Sequence, residues 1–272
     1  MLNRIFSMDN PKAIKAMGYG YINAIHYMAP AALAGVGDLC PNRSAGCTAL
    51  CLGWFSGQAS MVKSDLVRDR NSVRLSRIAK AKRFMRDRKA YMADVIRSIQ
   101  LATAKAKREG FKLCVRMNGS TDIGWEGIRN ADGLSLMEQF TDVQFTDYTK
   151  SPKRALAFAS GKFPSNYSLC FSRSETNEAQ CLDVLNAGGT VAVVFGCEKP
   201  STYLGFPVVD GDLHDLRFLD PRGHVVALSP KGPKAKRDKS GFVVRSIPTC
   251  RHATPQCNPH DLGSFFGTQL AA

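Results

Sequence analysis

Between residues 112 and 195 short apolar runs alternate with short helical patterns, and the links between them are only a few residues long. Residues 112–117 (KLCVRM), 143–148 (VQFTDY), 167–172 (YSLCFS) and 190–195 (TVAVVF) read as strands. Residues 134–140, 154–160 and 177–186 read as helices, the last with Asn177 as cap and Gly188-Gly189 as stop. Strands joined through helices by short links must run parallel. An apolar, aromatic stretch at 19–33 supplies an earlier strand, followed by a turn-rich loop at 38–43. An open dinucleotide-binding sheet would need a glycine fingerprint after its first strand, and none is present. The expected fold is therefore α/β, a full or partial (β/α) barrel with parallel strands and an irregular C-terminal extension. Residues 1–230 would form the barrel domain, and 231–272 a basic loop and irregular tail.

Nine cysteines are many for a chain of 272 residues that made no use of them, and an odd number cannot pair completely. Arg4 and Asp9 interrupt the apolar core that a secretory leader needs, so a cytoplasmic location and reduced thiols are expected. No run of about 18 apolar residues suggests a membrane span. With 44% apolar and 22% charged residues, collagen-like, mucin-like and wholly disordered readings are excluded.

Cys40, Cys47 and Cys51 are the sharpest chemical signal. Three thiols within twelve residues, in a loop opening into a helix, can converge on one centre, and thiolates suit zinc or iron–sulfur clusters. Chemistry in a parallel barrel gathers at the carboxyl ends of strands. Polar residues stand there in sets: Asn118, Ser120, Thr121 and Asp122; Asp147 and Lys150; Ser172, Arg173 and Glu175; Glu198 and Lys199. Cys114, Cys170 and Cys181 read as packing residues, and Cys197 as a residue after its strand. Asp210, Asp212 and His214 would share one face of a strand within 208–219 and could bind a divalent metal or act as acid and base. Cys250, His252, Cys257 and His260 form a proline-rich array of zinc-ligand types, though not with finger spacing.

Charge adds a partner. The chain carries +14, and residues 62–108 alone hold 15 Lys and Arg against 4 Asp. Apolar residues recur there at helical spacing, giving two basic amphipathic helices or one long bent one. Such a face suits nucleic acid or a nucleotide. Residues 231–240 (KGPKAKRDKS) read as a flexible basic loop.

A three-cysteine loop after a first strand, with the polar loop Asn118-Gly119-Ser120-Thr121-Asp122 after a later one, resembles the radical S-adenosylmethionine (SAM) architecture. Closer still, the chain resembles an uncharacterised phage-encoded family. That likeness lies in residues 30–33, 40–41, 116–123, 145–150 and 211–221. The resemblance implies an iron–sulfur partial barrel in which Cys40, Cys47 and Cys51 hold a [4Fe–4S] cluster whose open iron chelates SAM. It implies Asn118, Ser120 and Asp122 near the SAM amino group, and Ser172, Arg173 and Glu175 near its ribose or carboxylate. The setting would be the host cytoplasm. The cysteine spacings of six and three, and Leu50 before Cys51, differ from the usual C-x3-C-x2-C with an aromatic before its last cysteine. A different class remains open: a zinc-stabilised, non-enzymatic nucleic-acid-binding protein.

Overall fold

A computed structural model describes residues 5–56, 59 and 71–246. β1 (Phe6–Ser7), α1 (Pro11–Met17) and β2 (Tyr21–His26) open the chain. The cysteine loop after β2 contains α2 (Ala45–Ala49) and α3 (Leu52–Phe55). α4 (Ser72–Arg86) and α5 (Arg88–Arg108) lead into β3 (Lys112–Arg116). Then come α6 (Leu136–Gln139), β4 (Gln144–Thr149), α7 (Pro152–Ala159), β5 (Tyr167–Ser172), α8 (Glu178–Asn186) and β6 (Val191–Val194). β7 (Thr202–Tyr203), β8 (Phe206–Asp210), β9 (Val225–Leu228) and α9 (Gly232–Lys236) complete the described elements.

The nine strands form one sheet in the order β1-β2-β3-β4-β5-β6-β9-β8-β7. From β2 through β6 to β9 and β8 every neighbouring pair is parallel, and only the outermost pairs β1–β2 and β7–β8 are antiparallel. The expected α/β class and parallel strands are present, and the sheet is not closed. Strands that follow one another in both sequence and space, joined by right-handed crossovers, keep their helices on one face. On that face Phe171, Val191, Val193, Val225 and Ala227 pack with Ala155, Cys181, Val184 and Leu185 from α7 and α8. The larger cluster joins α5 residues Tyr91, Val95, Ile99 and Ala102 to Ile22, Ala24, Val115, Phe145 and Leu169. Each of the larger buried apolar side chains there contributes roughly 1.5–3 kcal/mol.

Residues 211–220 meet the other face. Leu216 packs on Cys114 and α1 residue Ala16, and Arg116 forms a buried ion pair with Asp215 (2.7 Å) under the Tyr148 ring. Gly211 allows this close approach, since a Cβ there would run into Val226, Arg217 and Leu228. In register, Ile25 of β2 stands beside Arg116 of β3, and Thr149 of β4 beside Phe171 of β5. The loops after these four strands therefore leave the sheet at one end.

Several local expectations change. The strand stops at Asp210, whose carboxylate accepts the Asp212 N–H (2.8 Å) and turns the chain, so Asp210, Asp212 and His214 do not share a strand face. Asn177 stands at the N-cap of α8, as expected, but its side-chain oxygen accepts the Ser174 N–H (2.6 Å) rather than an N–H of the helix. The basic pattern splits into two helices at Asp87, whose carboxylate caps α5 through the Ala90 N–H (2.9 Å). Residues 62–70 of the expected basic segment lie outside the described residues. Residues 231–240 are ordered: α9 is followed by a turn in which Asp238 accepts from Ser240 and Val243. Among the described residues no helix is long and apolar enough to cross a membrane.

Candidate functional site

The cysteine loop lies over the carboxyl ends of β2 to β5. Cys40 is tied to both flanks: its sulfur accepts the Ala31 N–H (3.3 Å) and its thiol points to the Ser120 carbonyl (3.7 Å). Ser44 caps α2 through the Cys47 N–H (3.1 Å). Cys51 stands at the N-cap of α3 by position, without a side-chain cap hydrogen bond. All three thiols are half-buried and unpaired. They are close enough to act on one another electrically: Cys47 and Cys51 each raise the pKa of Cys40, and Cys47 raises that of Cys51. Burial is the larger cause, pushing Cys40 up to about 12 and Cys51 to about 11, and lifting Cys47 as well. Lys150 and Arg43 oppose the rise at Cys47, and Arg77 opposes it at Cys51.

A distant carboxylate fixes this loop. Glu175, after β5, accepts the Gly46 N–H (2.7 Å) and the Ser44 hydroxyl (2.8 Å). Burial alone would raise its pKa, but these donors hold it below the usual range. Gly46 is required by packing, since a Cβ would stand 2.8 Å from Glu175 Oε2 and 2.9 Å from Phe242 Cβ. Gly53 meets Ser120 in the same way. The thiol loop is thus clamped between the loops after β3 and β5.

The remaining expected site residues divide. Asn118 is buried and its side chain is fully engaged, accepting from Thr121 and Ile123 and donating to Ile123 and Asp147. Ser120 donates to the Met28 carbonyl (2.6 Å). Asp122 accepts from Thr149, the Lys150 N–H and Arg154. These residues shape the end of β3 and knit it to β2 and β4. Arg173 reaches the Gly241 carbonyl (2.6 Å), holding residues 238–245 beside the cysteine loop. The Ser172 carbonyl accepts from Asn177 (3.1 Å), and Lys150 Nζ lies 3.5 Å from it and 5.1 Å from the Phe242 ring. Asp147 turns to the helix side, where burial pushes its carboxyl up to about 7 against the Asn118 N–H and Arg116. Glu198 is exposed, and Lys199 pairs with Asp210 and Asp212, away from the thiols.

Arg77 belongs to the site although the helical pattern gave it no special place. It donates to the Gly53 carbonyl, covers the Tyr27 ring and faces Cys51. Its spacing on α4 is that of any surface cation, and only the fold turns it inward.

The acidic segment has a different character. Asp210 pairs with Lys199, Asp212 with Lys199 and Lys231, and Asp215 with Arg116. His214 stacks edge-on with Tyr19 and accepts from the Leu216 N–H. Among the described residues, no three His, Cys, Asp or Glu side chains are grouped so as to hold a metal ion. Cys250, His252, Cys257 and His260 lie outside the described residues. Cys114, Cys170 and Cys181 are buried packing residues, as expected, and Cys197 is half-buried near the Val244 carbonyl.

The geometry defines an α/β protein with a mostly parallel sheet in sequential order and a three-thiol loop clamped over the strands' carboxyl ends. The family described as Gene product 88 matches residues 4–246, and the chain belongs to that family. No curated protein and no solved structure matches the chain.

Proposed function

We propose that the chain is an iron–sulfur protein of radical-SAM-like, partial-barrel type, phage-encoded and working in the host cytoplasm. Cys40, Cys47 and Cys51 would hold a [4Fe–4S] cluster. The observation that carries this reading is the placement of Cys40, Cys47 and Cys51 in one half-buried loop clamped over the carboxyl ends of β2 to β5. Thiols on a cubane each bind a different iron, so they stand further apart than ligands sharing one ion, whose Zn–S bonds are only about 2.3 Å. Among the described residues the three thiols are not grouped so as to share one ion, so the reading rests on their common loop and its surroundings. Asp122 and Glu175, the carboxylates that act on Cys47, are engaged by other donors.

The surroundings suit an anionic cluster. A backbone N–H, that of Ala31, bonds the Cys40 sulfur, and Arg43, Arg77 and Lys150 supply positive charge. When bound, a cluster with one open iron supplies a coordination point for the amino acid part of SAM and an electron for its reduction. The chain's own residues position the groups around it. Glu175 holds the thiol loop, Asn118 and Asp122 hold the end of β3, and Arg173 holds the covering segment. Lys150, whose ammonium group lies 3.5 Å from the Ser172 and Arg173 carbonyls, would supply positive charge beside them. The substrate would be nucleic acid or a nucleotide, in keeping with the net charge of +14.

Purification without oxygen tests the reading. It predicts a brown protein with a broad visible absorbance that bleaches on reduction. A colourless protein carrying one zinc and indifferent to oxygen would support the zinc alternative instead.

A further inference from the structure

We propose that residues 231–240 form the docking surface for a single-stranded nucleic acid, presenting one of its bases to the thiol site; this rests on the function proposed above. Lys234, Lys236, Arg237 and Lys239 are exposed, Lys231 is exposed but pairs with Asp212, and the segment's one acid, Asp238, is buried and binds its own turn. The segment is fixed beside the thiol loop. Lys234 Nζ lies 3.4 Å from the centre of the Phe55 ring on α3, the helix that Cys51 begins. Arg245 holds the end of α9 through the Ala235 (3.0 Å) and Lys236 (2.7 Å) carbonyls. Ser240 and Phe242 then pack on Gly46, next to Cys47.

The helical cations are a poorer platform. Arg74 is buried and donates to the Trp54 and Ala59 carbonyls, Lys80 is buried near the Ile5 carbonyl, and Arg77 turns toward Cys51. Arg83 pairs with Asp94. Several of the charges that made 62–108 look like a phosphate surface thus hold the fold together. Arg86, Arg88, Lys89 and Arg97 stay exposed on the helices, but residues 231–240 combine exposed cations with nearness to the thiols.

Single-stranded substrate follows from depth. The thiols are half-buried under the covering segment, and a base inside a duplex stack cannot reach such a centre without being turned out, which costs a few kcal/mol. A strand already unpaired avoids that cost, while its phosphates lie along the cations.

Fluorescence anisotropy with a labelled single-stranded DNA oligonucleotide tests this on the full chain and needs no iron. The triple variant K236A/R237A/K239A should bind about tenfold or more weakly, with a salt slope shallower by up to about three. The control K107A/R108A/K112A removes the same charge at the opposite end of the sheet and should change affinity by no more than about twofold. Equal losses in both triples, or none in the first, would overturn the proposal. A duplex of the same sequence that binds as tightly as the strand would also overturn it. Iron content is measured separately, so loss of docking and loss of the cluster reading are told apart.

Discussion

The thiol loop and residues 210–220 carry similar ligand-type side chains, yet their surroundings differ in kind. In the acidic segment the protein supplies the counter-charges itself: Lys199, Lys231, Arg116 and Arg217 face Asp210, Asp212, Asp215 and Asp220. In the thiol loop the Cys40 sulfur meets a backbone N–H and a carbonyl, and the described thiols make no ion pair. Residue type alone therefore does not distinguish a structural cluster from a functional one. The distinction lies in whether the fold already balances the charge that a ligand would balance.

The largest effect expected from breaking this contrast is on bound iron. Cys47→Ser should lose most of the iron of anaerobically prepared protein, whereas Asp212→Asn should keep all of it. Metal analysis of both variants reads the difference, and equal retention would erase the contrast.

Stability should respond the other way round. Asp215→Asn leaves Arg116 buried without its carboxylate and should destabilise the fold by about 3–5 kcal/mol in urea unfolding. Glu175→Gln keeps the shape but weakens the charged hydrogen bonds to Ser44 and Gly46, with an expected loss of about 1–2 kcal/mol. Its more specific signature is faster alkylation of Cys47 in the native protein, which a purely remote effect on stability would not produce.

The smallest effect is one of pH. Asp147, with its pKa raised to about 7 by burial, stabilises the fold at low pH, and that contribution is lost as pH rises from about 4 to 7. His26, with its pKa lowered to about 3 by burial and by Lys80, acts in the opposite sense: stability is lost as pH falls below about 6.5. The two slopes oppose each other over most of this range. Asp147→Asn should remove one of them, so the variant's urea midpoint should climb from pH 4 to 7 more steeply than that of the native chain. Parallel profiles would show that Asp147 does not titrate there.

Much of the sheet was legible because its signals are local. Residues 112–116 and 167–172 are short runs that read as strands, while the side-chain caps Ser135 and Ser151 emerge only in the structure. The thiol trio was legible from its spacing. What holds it was not, because the Glu175 to Gly46 bond joins residues 129 apart in the chain. The NGSTD loop was found, but its role was not: Asn118 and Asp122 look like ligand groups until their hydrogen bonds to Ile123, Thr149 and Arg154 are seen. The roles of two cations of α4 were hidden for a similar reason. An amphipathic pattern separates apolar from polar positions, but it cannot show that Arg74 will bury its guanidinium against the carbonyls of a preceding segment.

The most direct test is iron and acid-labile sulfide analysis of the full chain, expressed with iron and purified without oxygen. The account predicts close to four iron and four sulfide per chain, both lost when Cys40, Cys47 and Cys51 are replaced together. Protein that is well folded and contains neither iron nor sulfide, or whose iron survives that triple replacement, would contradict it.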